Sequence, residues 1–220
     1  MPEKESPCRK LLVATTNKKK LSELRQLLAG FDLEFVCLAD FPGYREVPET
    51  GKTFQENASL KAASYAKQTG LLTLAEDSGL CCDSLEGAPG VYSARFAGES
   101  KEDQANNAKL LRLLEKVPDN CRGAHFVSTV ALATPERLIG AVEGTVHGVI
   151  HKSVAGSNGF GYDPVFFYLP FGKTFGEVPP EMKNKVSHRS QALAKARQML
   201  EGYLTDSPHP SPPPEGERAG

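Results

Sequence analysis

Five stretches of this chain gather residue types suited to phosphate and metal chemistry. The first is Thr15-Thr16-Asn17-Lys18-Lys19-Lys20, between the apolar run Lys10–Ala14 and a leucine-periodic segment. A helix N-terminus at that point offers unpaired N–H groups and partial positive charge. Such an end binds phosphate without further help. Asn17 and Lys20 lie three apart and share a face, and the lysines add positive charge. The stretch has no glycines, so it is neither a P-loop nor a dinucleotide fingerprint. Read alone, it is more simply a capped helix with solvated lysines.

The second stretch sets Glu49 before Glu56, Asn57 and Lys61. Asn57 and Lys61 are i,i+4 neighbours on a helix, while Phe54, Ala58, Ala62 and Tyr65 take the other face. Lys61 suits a phosphate and Glu49 a metal, although a surface lysine and a loop acid give the same pattern. The third is Glu76-Asp77-Ser78-Gly79, directly after the apolar strand Leu71–Ala75. Acids at the C-terminal end of a parallel strand sit where α/β sheets bind ligands, and carboxylates suit Mg²⁺. The same four residues read as an ordinary polar turn. The fourth is Gly156-Ser157-Asn158-Gly159-Phe160-Gly161-Tyr162-Asp163-Pro164. Its glycines allow close backbone approach and its aromatic rings offer faces for a purine. The fifth is Lys183 with Ser187-His188-Arg189 at a helix start, where basic residues oppose the helix dipole.

The elements that must position these groups follow from periodicity. Lys10–Ala14 and Leu33–Leu38 read as strands, and Leu21, Leu24, Leu27 and Leu28 as one face of a helix closed by Gly30. Thr53 and Glu56 form a capping box for a helix running to about Gln68. Ser100 and Asp103 open a helix with the stripe Leu110, Leu111, Leu113, Leu114 and Val117. Phe126–Ala133 and Leu138–Ile150 read as a long hairpin. Ser187 caps a last helix with Leu193, Ala196, Met199, Leu200 and Tyr203 inward. Strands alternating with helices, then a hairpin, argue an α/β protein with a mixed sheet.

Composition narrows the function class. The 220 residues carry 26 Lys+Arg against 27 Asp+Glu, a net charge of −1, which argues against a nucleic-acid binder. No apolar run is long enough for a membrane span or a signal segment. Cys8, Cys37, Cys81, Cys82 and Cys121 are odd in number and irregularly spaced, so they read as reduced thiols in a cytoplasmic protein. Residues 206–220 are proline-rich and without apolar periodicity, which predicts a disordered tail. Residues 1–9 are expected to form a flexible N-terminus and 10–205 a single domain.

The motifs matter most as an ordered set. They run Thr15-x-Asn17-x-x-Lys20, Glu49-Thr50-Gly51, Phe54-x-Glu56-Asn57-x-x-x-Lys61, Asp77-Ser78-Gly79-Leu80, Gly87 to Phe96, Gly159 to Pro164, and Ser187-His188-Arg189. From about Lys10 to Leu204 the chain closely resembles the inosine/xanthosine triphosphate pyrophosphatases, the Ham1-like family that acts on non-canonical purine nucleotides.

The resemblance implies an elongated mixed sheet flanked by helices, with two lobes and a central cleft. It implies a Mg²⁺-dependent homodimer that splits ITP, dITP and XTP into monophosphate and pyrophosphate, keeping deaminated purines out of DNA and RNA. By position, Thr15 to Lys20 and Lys61 would hold the triphosphate. Glu49 and Asp77 would bind the metal, with Asp77 also the general base. Ser78 would contact substrate, and Phe160, Gly161, Tyr162, Asp163, Lys183, His188 and Arg189 would form the base pocket. Two positions depart from the family pattern: Glu76 stands where many members carry Asp, and Thr16 where Gly is usual. The rival readings are a septum-formation-type pyrophosphatase, which the Ser187-His188-Arg189 match opposes, and a non-catalytic nucleotide sensor, which would need no general base.

Overall fold

The structure, a computed structural model, describes residues 9–15, 24, 28 and 30–206. Seven strands form one sheet: β1 (Arg9–Val13), β2 (Leu33–Cys37), β3 (Leu72–Cys82), β4 (Gly123–Ala133), β5 (Leu138–Ile150), β6 (Phe166–Tyr168) and β7 (Lys173–Thr174). Their spatial order is β2-β1-β3-β4-β5-β6-β7. β1 runs parallel to both β2 and β3, and all later pairings are antiparallel. The helices that lie wholly among the described residues are α1 (Phe54–Thr69), α2 (Asp103–Leu113), α3 (Pro180–Asn184) and α4 (His188–Asp206).

The long strands serve two apolar cores. Leu11, Leu74, Leu132, Leu193 and Leu200 pack together at one end. Leu80, Leu110, Leu114, Phe126, Phe166 and Phe175 pack at the other. Each buried leucine or phenylalanine contributes about 1.5–3 kcal/mol, so both ends are independently anchored. β3 crosses from one core to the other, and Glu76-Asp77-Ser78 fall between them.

This corrects the expected turn. Glu76 to Gly79 are mid-strand, because β3 pairs with β4 from Thr73 to Cys82 without a break. On its other side β3 pairs with β1 only over Leu72–Leu74. From Ala75 to Gly79 no strand among the described residues pairs with that edge, and the acids sit on this stretch; further on, Pro89 bridges to Cys81 and Ser93 bonds the Leu80 amide.

α1 approaches the sheet closely because the facing residues are small. Ala58, Ala62 and Ala66 pack against Ala75, Ala131 and Ala133. Asn57 and Lys61, each one residue before an interface alanine, are thereby brought over β3. Thr53 caps the helix by accepting from the Glu56 amide at 3.1 Å. The return bond of the expected capping box lands one residue earlier, on the Lys52 amide. Gly70, at φ +72°, ends the helix in the left-handed conformation.

Other expectations shift slightly. α2 starts at Asp103, with Leu110 and Leu114 buried and Leu113 exposed. Leu24 and Leu28 enter the first core, whereas Leu21 and Leu27 lie outside the described residues. So do residues 1–8 and 207–220, including most of the expected flexible N-terminus and disordered tail. Asp206, assigned to that tail, is the last residue of α4. Among the described residues, no helix is long and apolar enough to cross a membrane.

Candidate active site

A cleft of about 980 Å³ opens beside the free edge of β3. Thr15, at the C-terminal end of β1, lines it together with Glu49, Lys61, Glu76, Arg95 and Lys101. Thr16, Asn17, Lys18, Lys19 and Lys20, expected to continue the phosphate-binding stretch, lie outside the described residues.

Lys61 organises one wall. Its Nζ donates to Glu49 Oε1 at 2.8 Å and to Asp77 Oδ1 at 3.0 Å. Arg95 Nη1 reaches Glu49 Oε2 at 3.4 Å. Asn57, fully buried, donates to Asp77 Oδ2 at 3.2 Å and accepts from the Gly51 amide at 2.8 Å. Asp77 sits just behind Lys61, with its side chain 11% exposed.

Burial raises the Asp77 carboxyl above the usual carboxylate range; the Lys61 charge and hydrogen bond oppose that rise without cancelling it. Glu49 behaves the other way. Burial again pushes upward, but Lys61 and then Arg95 outweigh it and hold the group below its ordinary value. Burial would lower Lys61, yet the two carboxylates raise it, so it stays protonated.

A second cluster is built around Phe160, which is 52% exposed, and Glu76 connects it to the cleft through Arg189. Lys183 Nζ lies 4.7 Å and the Arg189 guanidinium carbon 5.2 Å from its centroid. Each cation is held by an acid. Asp163 carries Lys183 and also accepts from the Phe160 amide at 3.0 Å. Glu76 Oε1 accepts from Arg189 Nε at 2.8 Å and from Ser128 Oγ at 3.0 Å. Ser78 is half-buried in β3, opposite Ser128.

Two expected pocket residues take supporting positions. Tyr162 is buried in the second core and donates its hydroxyl to the Ser93 carbonyl at 2.8 Å. Asp163 is 1% exposed, its carboxylate spent on Lys183 and Phe160. Both brace the loop from beneath. His188 is also buried, its ring stacked on Phe126 at 4.7 Å. Phe160, Lys183 and Arg189 do come together, with Gly161 in the same loop.

Arg95 and Lys101 are not among the expected site residues, and Asn57 is expected only as the helix neighbour of Lys61. Arg95 and Asn57 lie inside motifs already singled out, which was the available signal. Lys101 follows no pattern readable in the sequence; it stands at φ +54° in the connection before α2.

The geometry agrees with relatedness. The profile of the Ham1 family matches residues 11–199. The chain belongs to the Ham1 family. It is 51% identical over 191 residues to a dITP/XTP pyrophosphatase of Desulforamulus reducens, covering 87% of this chain and 95% of that protein. It is 50% identical over 200 residues to the dITP/XTP pyrophosphatase of Mycobacteroides abscessus, covering 89% and 96%. Among solved Ham1 structures, the protein from Coxiella burnetii superposes with a TM-score of 0.83 at 38% identity, covering 88% of this chain and 99% of that one. The Mycobacterium abscessus dITP/XTP pyrophosphatase superposes at 0.74 with 48% identity, covering 87% and 99%.

Proposed function

We propose that this chain is a hydrolase that converts dITP, ITP and XTP to the nucleoside monophosphate and pyrophosphate, clearing deaminated purines from the nucleotide pool. The observation that carries this reading is the Glu49–Lys61–Asp77 cluster at the cleft, in a chain half identical to dITP/XTP pyrophosphatases.

The residues present fit a divalent cation. Glu49 Oε1 and Asp77 Oδ1 come from different elements and converge on one positive atom, Lys61 Nζ. Both are hard oxygen donors, the type Mg²⁺ takes, and Mg²⁺ is commonly bound by one or two carboxylates with phosphate oxygens and water completing the shell. Glu49 and Asp77 are therefore the proposed ligands. When bound, Mg²⁺ supplies charge neutralisation for the triphosphate.

The chain's own groups supply the rest. Thr15 marks the start of the phosphate-binding wall, and Lys61, Arg95 and Lys101 offer positive charge. An entering triphosphate competes for the Lys61 ammonium, and this frees the Asp77 carboxylate. A water oxygen then attacks the α-phosphorus and passes a proton to Asp77. The bond from the α-phosphorus to the bridging oxygen breaks, and pyrophosphate leaves with Lys61 and Arg95 beside its charge.

Base choice falls to the Phe160 end. Hypoxanthine and xanthine present an O6 acceptor, whereas adenine presents an N6 donor. The Arg189 guanidinium, pre-set by Glu76, is a donor that suits O6. A site built to hydrogen-bond one group rejects its absence by up to ~10⁴.

The resemblance supports a homodimer in the cytoplasm, with residues 10–205 as the catalytic domain. Light scattering on the eluted protein tests the dimer. The central test is pyrophosphate release from ITP, dITP, XTP, GTP and ATP, with Mg²⁺ and with EDTA. Release from the first three with Mg²⁺ alone is the expected result. Tight ITP binding without any release would replace the enzyme by a nucleotide sensor.

A further inference from the structure

α2 contacts both the Phe160 loop and the segment that carries Arg95, and it does so through neighbouring residues. Asp103 Oδ2 accepts from the Gly161 amide at 2.6 Å. One turn later, Asn107 Nδ2 donates to the Gly161 carbonyl at 2.9 Å. Both backbone polar groups of one loop glycine are thus held by side chains of one helix. Gly161 sits at φ +61°, in the left-handed region, and is the residue after Phe160. On the next face of the helix, Asn106 accepts from the Ala97 amide at 2.7 Å and donates to the Ala94 carbonyl at 3.2 Å. Lys109 donates to the Phe96 carbonyl. These contacts flank Arg95, which reaches Glu49.

Asn107 is 5% exposed, and its Oδ1 finds no hydrogen-bond partner among the described residues. A buried unmatched acceptor is unfavourable. A small apolar side chain at 107 would avoid that cost, but it would also leave the Gly161 carbonyl without this donor. The contact that offsets the cost is the one to the Phe160 loop.

We propose that Asp103 and Asn107 are positioning residues for base selection. They fix the loop through Gly161, and so set the Phe160 ring at a constant distance from the phosphate-side group Glu49–Arg95. Asp103 and Asn107 act through the loop, while Asn106 and Lys109 hold the other end of the same strut. This rests on the reading of the chain as a purine triphosphate pyrophosphatase.

The experiment compares the parent with Asp103→Ala, Asn107→Ala and Asp103→Asn in the full chain. Kinetics with ITP and ATP are measured beside inhibition by inorganic tripolyphosphate, which has no base. Asp103 is exposed, so its variants keep the proposal testable even where Asn107→Ala fails to fold. The expected result for both alanine variants is a KM for ITP raised by ~10-fold or more, with kcat changed less. The ITP/ATP discrimination ratio falls, and the tripolyphosphate inhibition constant is unchanged. Asp103→Asn keeps an acceptor for the Gly161 amide and restores the parent ratio. An unchanged ratio in Asp103→Ala, or an equal loss of tripolyphosphate affinity, overturns the positioning role. A parent protein inactive on ITP overturns the proposed function, and this inference with it.

Discussion

Glu76 and Asp77 are adjacent in the chain and bind cations on opposite faces of the sheet. Glu76 accepts from Arg189 of α4, and Asp77 from Lys61 of α1. The pleat of a strand turns successive side chains to opposite faces, so one dipeptide serves both ends of the site. Glu76 holds Arg189 beside the Phe160 ring, and Asp77 lies against Lys61 and Asn57. Glu76 is thereby engaged by Arg189, whereas the proposed metal ligands Glu49 and Asp77 both face Lys61.

Replacing Glu76 separates these roles. Both Glu76 and Arg189 are about nine-tenths buried, and removing one partner of a buried pair costs ~3–5 kcal/mol. Glu76→Gln keeps an acceptor oxygen and loses the charge. It is expected to melt at lower temperature and to lose ITP/ATP discrimination, while the Mg²⁺ concentration for half-maximal rate stays that of the parent. A large rise in that Mg²⁺ requirement would make Glu76 a metal ligand and overturn its assignment to Arg189.

Asp77→Asn tests the base. Burial already disfavours the charged form of this carboxyl, so the neutral amide removes a desolvation cost while giving up the Lys61 charge pair. The fold is expected to survive, seen as a cooperative melt. Pyrophosphate release from ITP is expected to fall by ~10²–10⁴. Turnover like the parent's would show that another group takes the proton.

Gly79 carries a packing constraint two residues from Asp77. A Cβ there would lie 2.7 Å from the Gly90 carbonyl oxygen and 2.9 Å from the Phe54 ring. The first is backbone and cannot yield easily. Gly79→Ala is expected to cost ~1–3 kcal/mol, measured by urea unfolding. It should also disturb the Ser93 bond to the Leu80 amide. Unaltered stability would mean that the segment Gly90–Arg95 moves freely.

How far the sequence reveals these groups depends on their reach along the chain. Thr53, Gly70 and the alanines of α1 are local signals, and they place Asn57 and Lys61 correctly. Glu76 to Gly79 mislead because Asp, Ser and Gly are turn formers, while the pairing that keeps them extended comes from β4, some fifty residues away. The surroundings of Tyr162 and Asp163 are hidden for a related reason. An aromatic and an acid in a glycine-rich loop suggest a ligand, whereas their partners, Ser93 and Lys183, are supplied by distant segments. The Asp103–Gly161 bond spans 58 positions and leaves no periodic trace.

The last prediction concerns pH and the phosphate-side cluster, in protein stripped of metal with EDTA. The Glu49 carboxyl is lowered in the folded state, so it contributes stability above its ordinary value near 4.5. That contribution disappears as pH falls through the lower folded value. Asp77 is raised and acts in the opposite sense, favouring the fold less as pH climbs through the interval above 3.8. Lys61 is raised above 10.5, so its share persists through neutrality and is lost only in strong alkali. Comparing the parent with Glu49→Gln reads the Glu49 charge together with its influence on Asp77 and Lys61, both of which it helps to raise. The stability gap between them, from urea unfolding, should be full at pH 7 and shrink as pH falls below 4.5. The Arg95 contact to Glu49 is lost over the same interval, since it depends on the same charge. A gap that stays constant down to pH 3 would show that Glu49 supports the fold through shape and hydrogen bonding, and that its charge is free to be spent on a cation in the cleft.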